Sequence, residues 1–340
     1  MIRVRPAQQN DLPGLMDLAA KAGLGMTTMP HNEQAMLKRI YLSQEAFARA
    51  EPPEQKETFF LVMEDDKKII GTGSIFTRLG HDRPFYSYRM SHLVNQSPDL
   101  DLRLETDLLY LVNDYHGYTE IGTLFVDPDY RGAGVGRLLS FSRFMLFAAN
   151  PGRFGDKVMA EIRGWTDNEE SFPFWEHVAS KFFHMTFIEA DKRSTSDFRF
   201  IADLMPKYPI YTEMLPQDVR DILGKPHDQS KPAMDLLLSQ GFRYNNLIDI
   251  FDAGPSIDAN MHEVQTIRDA HRRKPVSATG NTGGEKALVC SVGLGNFACI
   301  QVETVQEGST EIPLTDEMMQ ELGIIKDEEV MTCLLKGKQG

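Results

Sequence analysis

Cysteine is scarce. The three residues, Cys290, Cys299 and Cys333, all lie near the end of the chain and none forms a C-x-x-C pair. That pattern excludes a disulfide scaffold and argues against a zinc site, and no metal is implied elsewhere. Long apolar runs are missing too. No stretch reaches the ~18–20 residues a membrane helix needs, and Met1–Leu15 lacks the apolar centre of a secretion signal. The chain is expected in the cytoplasm, with no membrane partner. Net positive charge is also absent: 36 Lys and Arg stand against 49 Asp and Glu, a formal charge of -13. A general nucleic-acid binder carries the opposite sign, so no nucleic-acid partner is expected. Acidic surface repels a polyanionic ligand, which would then need a local positive nest. What remains is ordinary globular composition, 41% hydrophobic and 25% charged over 340 residues, a length that suggests about two domains.

Apolar spacing alternates between strand and helix signatures. Ile2–Arg5 alternates like a short strand, and Asp11 is placed to cap a helix with Leu12, Leu15, Leu18, Ala19 and Ala22 on one face. Gly23-Leu24-Gly25 supplies a turn, and a second helix is predicted from Asn32 to Ala50. Thr58–Glu64 and Lys68–Phe76 read as a hairpin, and Phe85–Val94 as a strand, while Ser97–Asp107 has no readable period. Tyr118–Val126 is a strong strand. A Gly-rich loop follows, then a helix from Gly134 to Asn150, whose apolar face Phe141, Phe144 and Phe147 widen to that of a deeply packed element. Lys157–Trp165 and Phe242–Phe251 read as strands, and Ser171–Phe183 and Pro232–Gln240 as helices. Trp165 and Trp175 read as core residues. His271–Glu285 reads as a linker, basic and then Gly/Thr-rich, before short strands at Ala287–Val292, Phe297–Thr304 and Val330–Leu335. The expected class is α/β (α+β): a mixed sheet flanked by helices over 1–255, with an irregular insertion at 190–230, then a linker and a small, mostly β C-terminal domain over 256–340.

One segment carries chemistry: Leu124-Phe125-Val126-Asp127-Pro128-Asp129-Tyr130-Arg131-Gly132-Ala133-Gly134-Val135-Gly136-Arg137. A strand ends, glycines turn, and a helix begins. Glycines let the main chain approach a ligand without a Cβ. The first amides of the helix are unpaired and its dipole is positive there, which cradles a diphosphate. Arg131 and Arg137 add charge locally. Gly132, Gly134 and Gly136 alternate strictly, so the dinucleotide fingerprint G-x-G-x-x-G fails, and the Walker pattern fails for want of Gly-Lys-Ser/Thr.

V-D-P-x-Y followed by R-x-x-G-x-G resembles the acyl-CoA loop of the GNAT N-acyltransferase superfamily. G-L-G-M-T-T-M-P, N-D-Y-H-G, K-V-M-A-E-I-R-G, F-W-E-H, L-M-P-K-Y-P-I-Y, G-K-P-H-D-Q-S-K-P-A and G-F-R-Y-N-N-L-I-D-I-F-D-A-G-P are similar to one branch of it, the arginine N-succinyltransferase family. The resemblance covers residues 1–270 and fades beyond. It implies a GNAT-type fold, succinyl-CoA as co-substrate with no permanently bound cofactor, and the α-amine of L-arginine as acceptor. It also implies a proton-transfer role for His227 of Gly224-Lys225-Pro226-His227 and a main-chain contact from Leu124 to succinyl-CoA. A homo-oligomer, or a heteromer with a paralogous subunit, is expected. Two alternatives stay open: another amine such as ornithine or another acyl donor, and an acyl-CoA-binding subunit without turnover of its own.

Elementary chemistry agrees on the nitrogen. A guanidinium is not deprotonated in a protein, whereas an α-amine can be. Histidine suits that proton transfer; His31 and His116 compete with His227 but read as bland. Glu120 reads either as a base acting through water or as an exposed strand-edge carboxylate. Leu124, Phe125 and Val126 are expected to meet the pantetheine arm like an added strand edge, with Arg131, Gly132, Gly134, Val135 and Gly136 around the diphosphate. One N–H of the strand can polarise the thioester carbonyl. Without cysteine in this half, direct attack in a ternary complex is favoured over an acyl-enzyme. Arg89, Arg163, Thr27 and Thr28 are candidates for the succinyl carboxylate. Asp114, Glu120 and Glu161 are candidates for the guanidinium.

Overall fold

Fifteen strands among the described residues join into one sheet. The computed structural model describes residues 1–22, 26, 28–132, 134–166, 171–194, 199–280, 283–305 and 308–335. In chain order the strands are β1 (Arg3–Pro6), β2 (Thr58–Asp65), β3 (Lys68–Phe76), β4 (Ser87–Ser97), β5 (Leu102–Val112), β6 (Thr119–Val126), β7 (Lys157–Glu161), β8 (Ile210–Tyr211), β9 (Arg243–Ile248), β10 (Pro255–Asn260), β11 (Ala270–Ser277), β12 (Glu285–Ser291), β13 (Cys299–Val305), β14 (Glu311–Leu314) and β15 (Val330–Leu334). Their order across the sheet is β14-β11-β15-β12-β13-β1-β2-β3-β6-β7-β10-β9-β4-β5-β8. Only β6–β7 and β11–β14 run parallel; every other pair is antiparallel. The β6–β7 crossover passes through a helix, as a parallel connection requires.

The helices are α1 (Leu12–Ala22), α2 (Glu33–Ala48), α3 (Val135–Ala149), α4 (Ser180–Phe183), α5 (Phe187–Ser194), α6 (Arg199–Leu204), α7 (Gln217–Arg220), α8 (Lys231–Ser239), α9 (Gln265–Arg268) and α10 (Asp316–Leu322). Asn32 caps α2 by accepting the Ala35 N–H at 2.8 Å. α1 and α2 cover one face, packing Leu15, Leu18, Met36 and Ile40 on Phe60 and Val62. α3 lies on the other, with Leu139, Phe144, Met145 and Leu146 fully buried against Leu61, Met63, Ile75 and Ile121. Each such side chain contributes about 1.5–3 kcal/mol on leaving water, so α3 is fixed by its middle and its first turn is held in place.

The predicted boundary at 255/256 falls at the head of β10, which inserts between β7 and β9. β13 pairs with β1, Arg3 opposite Ile300 and Val4 opposite Cys299, so the last strands extend the same sheet. Cys290, Cys299 and Cys333 are buried there beside α3, with no disulfide between them. Three local expectations differ from the structure. Asp11 is not the cap of α1. It receives the Gln8 N–H at 2.7 Å and pairs with Arg5, because a salt-bridged 3-10 turn precedes the helix. The basic run His271–Lys274 is strand β11 rather than linker: Arg273 and Pro275 turn inward while Arg272 faces Glu329. Leu102–Val112 forms β5, paired with β4 along eleven residues; its outer half is exposed on both faces, so no apolar period marks it. Trp175 is buried between Phe183 and Phe251, and Trp165 packs at the edge of the same cluster, both as core residues. The turn predicted at Gly23-Leu24-Gly25 lies outside the described residues.

Candidate active site

β6 and β7 pair only at Thr119–Val158 and Glu120–Met159. Beyond Glu120 no described strand pairs with that edge of β6, and the two strands open into a V. The opening begins at a distortion. The β3–β6 register shifts between Thr72 and Ser74, and Thr123 has a φ of 51°. A β-branched residue in the left-handed region costs on the order of 1–3 kcal/mol, a strain that collects at functional sites. Thr123 Oγ1 donates to the Thr28 carbonyl at 3.3 Å, which helps to hold the kink.

Below the V comes the Gly-rich loop. Asp127, buried, accepts an ion pair from Lys21 at 2.6 Å, and this partner holds its carboxyl below the usual range. Asp127 also receives the Asp129 N–H at 3.2 Å, so the turn after β6 is tied down. Arg131 donates Nε to the Val126 carbonyl at 3.2 Å and stacks over Phe125. Gly132 (φ 111°) and Gly134 (φ 85°) carry the chain through the left-handed region into α3, and Gly134 is the N-cap. Ala133 lies outside the described residues. A Cβ on Gly132 or Gly136 would meet nothing within 4 Å, so the first turn of α3 is open to a ligand.

Two adjoining cavities meet in the V, of about 180 and 310 Å³, and share Thr28, Glu120, Glu161, Phe187, Asp249 and Phe251. The first reaches Gly122, Leu124, Arg143, Arg163 and Ser230. The second reaches Arg39, Lys56, Phe76 and Arg83. Carboxylates concentrate at the junction. Glu120 is 6% exposed, not on an exposed edge. Burial pushes its pKa up, against the pull of Lys56, Arg39 and Arg83. Glu161 is pushed up well beyond the carboxylate range by burial and then by Asp249, Glu120 and Asp252. Burial, then Asp249, raises Asp252 to about 7. Asp249 accepts the Phe251 and Asp252 N–H groups at 2.7 and 2.9 Å, and Asp252 accepts those of Gly164 and Gly254 at 2.7 and 2.8 Å. Close backbone approach explains the two glycines: a Cβ on Gly164 would lie 2.2 Å from the Asp252 carbonyl oxygen, and one on Gly254 2.1 Å from that of Ile162.

His227 is half-buried and is not itself among the residues lining either cavity. Its N–H donates to the Arg163 carbonyl at 2.9 Å, and a bridge joins Gly164 to Pro226, which ties this segment to the end of β7. Its Nδ1 accepts the Gln229 N–H at 3.2 Å, so in the neutral ring Nε2 carries the proton. Ser230 of the same turn is on the cavity wall. Of the other predicted residues, Glu120, Leu124, Glu161, Arg163 and Thr28 all line the cavity. Phe125 and Val126 continue β6 toward the loop. Arg89 and Asp114 pair with each other at 3.0 Å away from it, and His116 stacks on His81. Thr27 lies outside the described residues. Sequence reasoning missed Arg39, Lys56, Arg83, Arg143, Asp249 and Asp252. Only the D-x-x-D-x-G spacing of the last two carried a signal, that of a tight turn.

The sequence model described as arginine N-succinyltransferase beta subunit matches residues 2–266. The arginine N-succinyltransferase of Yersinia pestis (strain Pestoides F) is 36% identical over 339 residues, covering 97% of each chain. That of Escherichia coli (strain ATCC 8739) is 41% identical over 308 residues, covering 89% of each. The solved structure of arginine/ornithine succinyltransferase subunit AI from Pseudomonas aeruginosa superposes with a TM-score of 0.89 at 28% identity, covering 99% of each chain.

Proposed function

The chain belongs to the arginine N-succinyltransferase family, with the GNAT-type α/β fold, and on that premise we propose that it transfers the succinyl group of succinyl-CoA to the α-amine of L-arginine. The observation that supports this most is the V: an open strand edge above an anion-binding helix start, leading to a cavity with carboxylates at its centre and cations on its walls. The pantetheine arm pairs with the free edge of Leu124–Val126, and the diphosphate rests on the first turn of α3 beside Gly132, Gly134, Val135, Gly136 and Arg131. An N–H of the Gly122–Leu124 segment faces the developing oxyanion.

The guanidinium lies against Glu161, Asp249 and Asp252, and the α-carboxylate of arginine faces Lys56 and Arg39. Two protons leave the amine nitrogen as the amide forms; one ends on the CoA thiol and one in solvent. Glu120 takes the first from the ammonium, directly or through a water. Its raised pKa makes it a better base than an ordinary carboxylate. His227 serves the leaving sulfur with its Nε2–H. The rising limb of kcat/KM for arginine should therefore have a midpoint above the ordinary carboxylate range. Glu120→Gln should remove that limb and lower kcat; a limb unchanged in the variant would assign it to another group.

The acid cluster also predicts a stability profile. Folded Asp252 holds its proton up to about 7 against an ordinary value of 3.8, so between those limits the folded chain binds more protons than the unfolded one. Stability then falls as pH rises through that window. Bound arginine supplies the missing cation, so its stabilisation should grow with pH there and its binding should release protons. Thermal denaturation with and without arginine, and binding enthalpies in buffers of different ionisation heat, check both.

We place the enzyme in the cytoplasm; among the described residues no helix is long and apolar enough to cross a membrane. The names of the matching family and of the Pseudomonas structure carry subunit designations, which supports an oligomer, of one chain or of two related ones. The functional test is a substrate panel with thiol detection on the purified chain. Succinyl-CoA with arginine should give the highest rate, ahead of acetyl-CoA and of ornithine, which the name of the Pseudomonas protein pairs with arginine. CoA binding without turnover would favour a partner-dependent subunit.

A further inference from the structure

We infer that Arg143 anchors the carboxylate at the far end of the donor's acyl chain and so selects a dicarboxylic monothioester over a neutral acyl thioester. This rests on the reading that the V takes an acyl-CoA.

Arg143 lies in the middle of α3 at 1% exposure, yet it lines the cavity. Its guanidinium donates Nε to the Ser140 carbonyl at 3.2 Å and Nη2 to Ser140 Oγ at 3.1 Å, both neutral groups of its own helix. Among the described residues no carboxylate comes within ion-pair distance. Two other arginines withdrawn from solvent have one: Arg153, buried, meets Glu57 at 2.8 Å, and Arg5, half-buried, meets Asp11 at 2.7 Å. A desolvated cation without a counter-ion is costly, and here burial alone pulls its pKa down to about 9. An anion delivered into the cavity would offset that cost.

The two faces of the sheet say which anion. Ile75 pairs with Ile121 in the α3 core, and a Cβ on Gly73, two residues before Ile75, would lie 3.6 Å from Arg143 Cδ. Phe76 and Glu120 are paired neighbours on the opposite face, and Lys56 and Arg39 sit over the Phe76 ring. Glu120 and the cations that face the acceptor's α-carboxylate are thus on one face, and Arg143 stands on the other, where room is left for the acyl chain. Arg143 is also eight residues past Val135, or ~12 Å along the axis from the anion-binding end of α3. One helix then offers two anchors to one ligand, its first turn for the diphosphate and Arg143 for the terminal carboxylate.

A carboxylate in this place could come from the donor's acyl chain or from the acceptor's α-carbon, and two pairs of probes separate them. Succinyl-CoA and butyryl-CoA have the same chain length and differ in the terminal charge. L-Arginine and agmatine differ in the α-carboxylate. Affinities for all four are measured by calorimetry, the amines in the presence of CoA, on the wild type and on Arg143→Met. The wild type should prefer succinyl-CoA. Arg143→Met should lose that preference roughly ten- to hundredfold, keep its arginine-to-agmatine ratio, and melt no lower than wild type, because it gives up an uncompensated buried charge. An unchanged succinyl-to-butyryl ratio overturns the assignment, as does loss of the arginine preference instead. If Arg143→Met does not fold, Arg143→Gln carries the same comparison with the same outcomes. Because binding is read, absence of transfer to arginine in the wild type would count against the proposed reaction without deciding this question.

Discussion

His227→Ala should lower kcat by roughly 10²–10⁴ with little change in CoA affinity. The imidazole is the one side chain of its loop able to exchange a proton near neutral pH, and its segment is bonded to the end of β7 rather than left as free surface. It also has a structural duty, since Nδ1 receives the Gln229 N–H. Loss of a cap of this kind costs on the order of 1 kcal/mol, which by itself would lower stability and leave turnover intact. His227→Asn separates the two, because an amide oxygen can still accept the Gln229 N–H but cannot shuttle a proton. Both variants should lose turnover, and the asparagine variant should melt closer to the wild type. Full turnover in either would remove His227 from the mechanism.

Gly134→Val should lower CoA affinity by at least about a hundredfold, as the loss of one or two charge-assisted hydrogen bonds implies. Space in the free protein is not the obstacle: a Cβ at Gly134 would find only Gln301 Oε1, at 3.8 Å. The backbone is. Gly134 holds a φ of 85°, where a β-branched residue is strained by roughly 1–2 kcal/mol. The loop must either keep that strain or turn its amides away from the diphosphate. A bulky Cβ would also stand where the ligand approaches. Gly134→Ala should show a smaller loss of the same kind. Calorimetry with CoA gives the answer, and an unchanged affinity in a folded Gly134→Val protein would detach the loop from the cofactor.

The contrast between what could and could not be read from the sequence follows from distance along the chain. The strand, loop and helix around Val126–Leu139 are contiguous, so one stretch of glycines and apolar residues specifies them together. Glu120 and Glu161 were legible as candidates because each sits on a strong strand. The cluster they form was not, since Arg39, Lys56, Glu120, Glu161 and the Asp249–Asp252 turn come from five separate segments that only the sheet order brings together. Arg143 was hidden differently. In an apolar helix an arginine reads as one that reaches water, and only the burial around the middle of α3 shows that Arg143 does not. β5 and β11 escaped because their polar faces are solvated or ion-paired, so neither shows the apolar alternation that marks a half-buried strand.

The most direct measurement is a crystal structure with CoA bound. The diphosphate should rest on the first turn of α3, against the amides that follow Gly134, with the pantetheine arm along Leu124–Val126 and the sulfur in the mouth of the cavity between Glu120 and His227. Coenzyme A bound elsewhere, or a V closed by side chains with the cofactor outside it, would contradict the account.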